Sequence, residues 1–186
     1  ARVGTSSLRR ASQIRALRPD LELVPVRGNV GPRLDKLEQG LDAVVLAYAG
    51  LIRLGLGARA TYLFSPDEMV PAVAQGALAI EARRDDLTMR ARIAKLDHAE
   101  TRLCTTAERA FLTRLQGGCQ VPIAARAELA GGMLRMRGLV ASLDGRRVVR
   151  AEQSAPTGRA EALGKEIAET ILARGGDAIL RELEGM

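Results

Sequence analysis

GTSSLRRASQIRALRPDLELVPVRGNVGPRLDKLEQGLDAVVLA, residues 4–47, decides the fold. The hydroxyl residues Thr5, Ser6 and Ser7 precede LRRASQIRALR (8–18), which reads as a short helix with a hydroxyl N-cap and a stop at Pro19-Asp20. LELVPV (21–26) alternates and reads as a strand, with Pro25 marking an edge or an end. RGNVG (27–31) reads as a loop, and residues 33–39 as a helix ended by Gly40. DAVVLA (42–47) is a continuous apolar run, the signature of a buried parallel strand. Gly50 opens another short helical piece, LIRLGL. Strands alternating with helices predict an α/β layer with a parallel sheet.

Working outward, SPDEMVPAVAQG (65–76) reads as a connector, GALAIEAR (76–83) as a strand and residues 86–96 as a helix. From about Asp97 the pattern changes. Ala99, Leu103, Ala107, Ala110 and Phe111 share one face of a helix over roughly 98–116, closed by Gly117-Gly118. Three alternating strands follow, with two-residue hairpin signals at Gly131-Gly132 and Asp144-Gly145. Leu163, Ile167 and Ile171 mark a final helix before Gly175-Gly176. The order α-β-β-β-α predicts a small α+β domain with a three-stranded antiparallel sheet over 97–186, after an α/β unit over 1–70 and a connector over 71–96.

Composition narrows the function. With 186 residues, 47% hydrophobic and 27% charged, the chain makes one or two domains and is not disordered. No apolar run approaches the ~20 residues of a membrane span, and no basic segment followed by an apolar one marks a targeting signal. Cys104 and Cys119 form no CxxC, and His98 is the single histidine, so no metal site is expected. The net charge is +6, and apart from Lys36, Lys95 and Lys165 every basic residue is arginine. Most of the excess lies in residues 1–60, which suggests an anionic partner. Tyr48, Tyr62, Phe64 and Phe111 are the only aromatics, too few for single-strand stacking platforms, so nucleic acid is not the expected partner.

Three motifs can carry chemistry. In Gly4-Thr5-Ser6-Ser7-Leu8-Arg9-Arg10, free N–H groups at a helix start form an anion site. Arg9 and Arg10 in that first turn oppose the helix dipole at a cost of a few tenths of a kcal/mol each, which a bound anion offsets. Two solvated arginines on an exposed turn explain the same residues equally well. Arg27-Gly28-Asn29-Val30-Gly31-Pro32-Arg33 is a second Arg-flanked loop at a strand–helix junction, the place where open α/β sheets bind ligands. A plain turn is the commoner origin of such a loop taken alone. In Gly117-Gly118-Cys119-Gln120-Val121-Pro122, a thiol on a Gly-rich loop is open to serve as nucleophile or attachment point, though a lone cysteine more often packs. Cys104 reads as packing and His98 as a surface or capping residue.

Taken in order, GTSSLRR, RGNVGPR, LAYAGLIRLGL, PAVAQGALAIE and GGCQVPI resemble the porphobilinogen deaminase (hydroxymethylbilane synthase) family over essentially the whole chain. The resemblance implies three domains, two of them like periplasmic binding proteins and the third a small α+β domain carrying a cysteine. It implies a transferase of tetrapyrrole (heme) biosynthesis that joins four porphobilinogen units into hydroxymethylbilane, releasing ammonia at each step. It also implies a dipyrromethane cofactor held by a thioether at Cys119.

The family's cleft arginines match Arg9, Arg10, Arg27, Arg33 and Arg53. Thr5, Ser6 and Ser7 match contacts to the cofactor carboxylates, and Gly50 and Gln75 match residues lining the cleft. Of these, Arg9, Arg27, Arg33 and Arg53 are the expected substrate-binding residues, porphobilinogen and the growing pyrrole chain being the ligands. Acetate and propionate groups explain the arginines, because buried carboxylates need fixed cations. The family's essential aspartate has no counterpart here, since its polypeptide begins well over a hundred residues earlier. The chain is therefore expected to be a C-terminal portion with residues 71–96 returning to the first domain, and to be inactive without that N-terminal domain. A cytoplasmic monomer is expected, with neither nucleic acid nor membrane as partner. The alternative is a non-catalytic module that binds carboxylate or phosphate without an adduct at Cys119.

Overall fold

The computed structural model describes residues 1–116 and 121–185. A first sheet holds β1 (Arg2–Gly4), β2 (Glu22–Val24) and β3 (Ala43–Val44), all parallel, in the order β2-β1-β3. Helices α1 (Leu8–Leu17), α2 (Val30–Leu34) and α3 (Tyr48–Arg53) follow the three strands in turn. This is the predicted α/β layer, but its central strand has no signal of its own, because Arg-Val-Gly is too short to show a period. Its position is fixed by pairing, Val3 lying opposite both Leu23 and Ala43. A Cβ on Gly4 would stand 2.8 Å from the Leu41 side chain and 2.9 Å from that of Val26, so glycine admits the residues that cover the sheet.

The elements differ from the sequence reading at their ends. The strand expected over 21–26 contracts to 22–24, since Pro25 offers no N–H to a ladder. The run 42–47 keeps only two paired residues, because the chain leaves the sheet after Val45, whose N–H donates to Gly4 O at 3.0 Å. The second helix begins at Val30 rather than Arg33. Pro32 falls in its first turn, where no N–H is needed, and a 3-10 turn over Asp35–Leu37 completes it. Residues 76–83 do not form a strand. No described strand lies alongside to satisfy their backbone, and Leu78 is 87% exposed. The following helix, α4 (Leu87–Ile93), is capped by Asp86, whose side chain accepts from Met89 N.

The second unit opens with α5 (Ala99–Arg114), capped by His98 as expected. Strands β4 (Ile123–Ala130), β5 (Met133–Ala141) and β6 (Val148–Pro156) form an antiparallel sheet in that order. Helix α6 (Ala160–Ile171) packs beside α5. A Cβ on Gly164 would lie 2.0 Å from Ala107 O, so the two helix backbones meet at that point. Phe111, Leu134, Met136, Leu163, Ile167 and Ile171 form the core between helices and sheet.

Gly131 and Gly132 both take positive φ, as a two-residue hairpin requires. The second hairpin is instead a longer loop over residues 142–147, closed by Ser142 N donating to Arg147 O. It docks under α1, where a Cβ on Gly145 would stand 2.5 Å from Ser12 O. Gly175-Gly176 does not end the fold. Gly175 turns the chain at φ +100, and α7 (Asp177–Glu184) returns Ile179 and Leu180 to the core.

The connector binds the two units together. Val70 packs with Ala124, Leu139 and Ala141 on the sheet face opposite the helices. Its backbone is held by Gln13 of α1, which accepts from Val70 N at 2.9 Å and donates to Val70 O at 3.1 Å. Pro71 O accepts from Ala125 N of β4 at 3.1 Å. Arg15 donates to Leu143 O at 2.6 Å.

Candidate functional site

The chain segments that leave β1 and β3 meet the connector around a cleft of about 350 Å³. Arg9, Arg10 and Gln75 line it, with Val45, Leu46 and Ala47 beyond β3 and an aromatic wall of Tyr48, Tyr62 and Phe64. The last two rings meet edge to face at 5.2 Å.

Each guanidinium is held by neutral groups. Arg9 donates to Val70 O at 2.8 Å and to Gln75 Oε1 at 3.3 Å. Arg10 donates to Val45 O at 3.1 Å. Arg33 donates from Nε to Gly28 O at 2.7 Å. Among the described residues no carboxylate pairs with any of the three. Burial, and then the charge of Arg10, pushes Arg9 down to about 10. Burial, and then the charge of Arg33, lowers Arg10. Three like charges thus stand close together with five N–H donors apiece, only one or two of them used among the described residues. That arrangement suits several carboxylates on one ligand.

The hydroxyl run does local work. Ser7 caps α1, its side chain accepting from Arg10 N at 3.4 Å. Ser6 Oγ donates to Val26 O at 2.6 Å and ties the segment after β1 to that after β2. Thr5 is buried, and its Oγ1 accepts from Ser7 N. Not every expected residue joins the cleft. Arg27 is exposed beyond β2, and Arg53 is exposed in the last turn of α3. Gly50 lies within α3, where a Cβ would touch Val30 at 3.5 Å. None of these three lines the 350 Å³ cleft, and neither do Thr5, Ser6, Ser7 or Arg33, the last standing near enough for its charge to act on Arg10. Cys119 lies outside the described residues.

Sequence reasoning missed the aromatic wall and two buried polar groups. Gln13 is fully buried and clamps Val70. Glu108 on α5 is also buried, and burial pushes its carboxyl up against the opposing pull of two backbone N–H groups. The available signal was polarity: a Gln and a Glu at positions that helical periodicity assigns to packed faces. Cys104 packs against the core of the second unit, and burial raises its thiol. Among the described residues no group of His, Cys, Asp and Glu is arranged to hold a metal, and no helix is long and apolar enough to cross a membrane.

The chain is also similar to known proteins. Residues 1–91 match the family model described as porphobilinogen deaminase, dipyromethane cofactor binding domain. Residues 102–173 match porphobilinogen deaminase, C-terminal domain. A porphobilinogen deaminase of Pelobacter propionicus is 52% identical over 184 residues, 98% of this chain and 59% of the relative. Those of Desulforudis audaxviator and a Roseiflexus species are 51% and 52% identical, over 96% and 97% of this chain and 58% and 59% of the relatives. The chain thus spans about 59% of the length of these curated relatives.

Proposed function

The chain belongs to the porphobilinogen deaminase family, and from that premise we propose that the protein is a hydroxymethylbilane synthase of tetrapyrrole biosynthesis. Porphobilinogen is the proposed substrate, four units being joined head to tail with loss of ammonia at each junction. The observation that carries this reading is the cluster of Arg9, Arg10 and Arg33, which has no acidic partner among the described residues, within the stretch matched to the cofactor-binding domain.

When bound, dipyrromethane supplies the primer from which the pyrrole chain is extended. Arg9, Arg10 and Arg33 hold acetate and propionate groups, which replace the neutral carbonyls as partners and offset the burial of the charges. Arg27 and Arg53, standing outside the cleft, serve carboxylates that reach its rim as the chain lengthens. Thr5, Ser6 and Ser7 fix the α1 N-terminus so that Arg9 and Arg10 face one ligand, and their amides add contacts to it. Gly50 stands in α3 beside Val30 of α2, and Gln75 orients Arg9. The wall of Tyr48, Tyr62 and Phe64 offers aromatic faces and edges to pyrrole rings. Among the described residues no carboxylate or imidazole lines the cleft, and we assign the group that moves protons during condensation to another part of the protein. Residues 1–186 alone are therefore expected to bind carboxylates without turnover.

We assign residues 1–70 to the carboxylate-binding unit, 71–96 to the connector and 97–186 to the domain that bears Cys119, the proposed thioether anchor. The test is the mass of the Cys119 peptide from whole protein made in cells that supply porphobilinogen. A dipyrromethane-sized adduct, lost with Cys119→Ser together with bilane formation, is the expected result. An unmodified thiol in folded protein overturns the anchor and leaves a carboxylate-binding module.

A further inference from the structure

Glu108 is a buried carboxylate that the proposed chemistry does not use. Its two oxygens are spent on backbone from two different parts of the chain. Oε2 accepts from Ala74 N of the connector at 2.6 Å, and Oε1 accepts from Ala127 N of β4 at 2.7 Å. Ala74 is held at φ +57, a left-handed conformation that a residue with a Cβ seldom adopts. The next residue, Gln75, accepts from Arg9 Nη2 at 3.3 Å and from Ala72 N at 3.0 Å through one oxygen. Gln75 also forms the wall between two cavities, the 350 Å³ cleft and one of about 430 Å³ that Glu108 itself lines.

We infer that Glu108 is a positioning residue for the carboxylate cleft: it clasps the kinked connector at Ala74 so that Gln75 is presented to Arg9. A plain structural role accounts for the bond to Ala127, within the second unit. It does not account for the second oxygen, which reaches out of that unit and fixes a strained residue beside the cleft. A carboxylate suits the task because both its oxygens accept, whereas an amide of the same shape turns a donor toward one of the two N–H groups. The inference deepens the reading of the cleft as a carboxylate site and rests on it.

The test uses the whole protein and two readouts, backbone amide exchange and calorimetric affinity for porphobilinogen. In the wild type the Ala74 amide is expected to be protected like those of β4. In Glu108→Gln it exchanges faster by on the order of ten- to a hundredfold, the loss expected for one charge-assisted bond. Porphobilinogen affinity falls severalfold in both Glu108→Gln and Gln75→Ala, and the double variant is no worse than Gln75→Ala alone. A purely structural Glu108 gives effects that multiply in the double variant, and that result overturns the inference. So does a wild-type Ala74 amide that exchanges as freely as that of exposed Leu78, a measurement that holds even if Glu108→Gln does not fold. Failure of the deaminase reading appears separately, as porphobilinogen bound without bilane formed.

Discussion

Arg9 is held charged at a cost, so replacing it should stabilise the empty protein while removing its response to ligand. Its pKa falls well below the ordinary guanidinium value, to about 10, with burial the larger cause and Arg10 the smaller. A group whose folded pKa is depressed contributes stability above its unfolded value and loses it as pH falls through the folded one. Through the neutral range, then, charged Arg9 works against folding. At about 1.4 kcal/mol for each tenfold change in proton affinity, the lowering sets a ceiling of about 3.5 kcal/mol. Partial contact with solvent screens it to about 1–2 kcal/mol.

Arg9→Met keeps the apolar stem and orphans no acceptor. Val70 O keeps Gln13 Nε2 at 3.1 Å, and Gln75 Oε1 keeps Ala72 N at 3.0 Å. For a chain of this length the gain corresponds to a melting temperature higher by about 2–6 °C. Scanning calorimetry at neutral pH reads it directly. Porphobilinogen should reverse the order, because ligand binding stabilises the wild type in proportion to its affinity and leaves the variant nearly unmoved. An Arg9→Met protein that melts below the ligand-free wild type refutes the reasoning, since Arg9 would then be a structural clamp between α1 and the connector.

Three further outcomes are expected. Gly164→Ala drives a methyl into the Ala107 carbonyl and should cost about 3 kcal/mol, the upper end for overpacking, read as a lower urea midpoint; an unchanged midpoint would show that α5 and α6 part easily. The Arg18 hydrogen bond holds the Asp20 carboxyl down to about 2, so the stability it contributes is present above about pH 4 and lost as pH falls through about 2. Melting curves of wild type and Asp20→Asn should differ at pH 5 and converge toward pH 2, and a constant offset would contradict this. Burial, and then the charge of Glu108, raises the Cys104 thiol, so iodoacetamide should label it more slowly at pH 7.5 than a free cysteine, with labelling as fast as the free amino acid as the contrary result.

The second unit was the more legible because its elements are long. Strands of eight and nine residues show alternation, and α5 and α6 repeat their apolar residues for several turns. In the first unit the strands have two or three residues, so pairing rather than pattern defines them, and β1 left no trace. Residues 76–83 show the reverse failure. Apolar content suggested a strand, but a strand is a property of two chains, and no described neighbour supplies the second. The arginines and their loops could be read from residue type and position. The acceptors that aim them could not, because Val45 O and Val70 O are backbone groups that every residue possesses, and only the fold brings them to Arg10 and Arg9.

That difference shows in how the two units use arginine. In the second unit most arginines are matched by acids on the same surface, as Arg114 is by Glu169, Arg135 by Glu152 and Arg147 by Glu182. Exposed pairs of this kind add little stability and leave little charge for a ligand. In the first unit, among the described residues, only Arg2 and Arg18 have acidic partners, Glu22 and Asp20. Arg9, Arg10 and Arg33 lean on carbonyls, which orient a guanidinium without neutralising it. A carboxylate built into the fold would hold them more tightly, but a ligand would first have to displace it. Carbonyls keep the charges in place and available, at the cost in stability that the Arg9→Met comparison measures. The partial burial that lowers Arg9 and Arg10 also strengthens their attraction for an incoming anion, since screening by water is reduced there. The destabilised cations and the binding capacity proposed for the cleft are therefore one physical property, and a variant that relieves the first should lose the second.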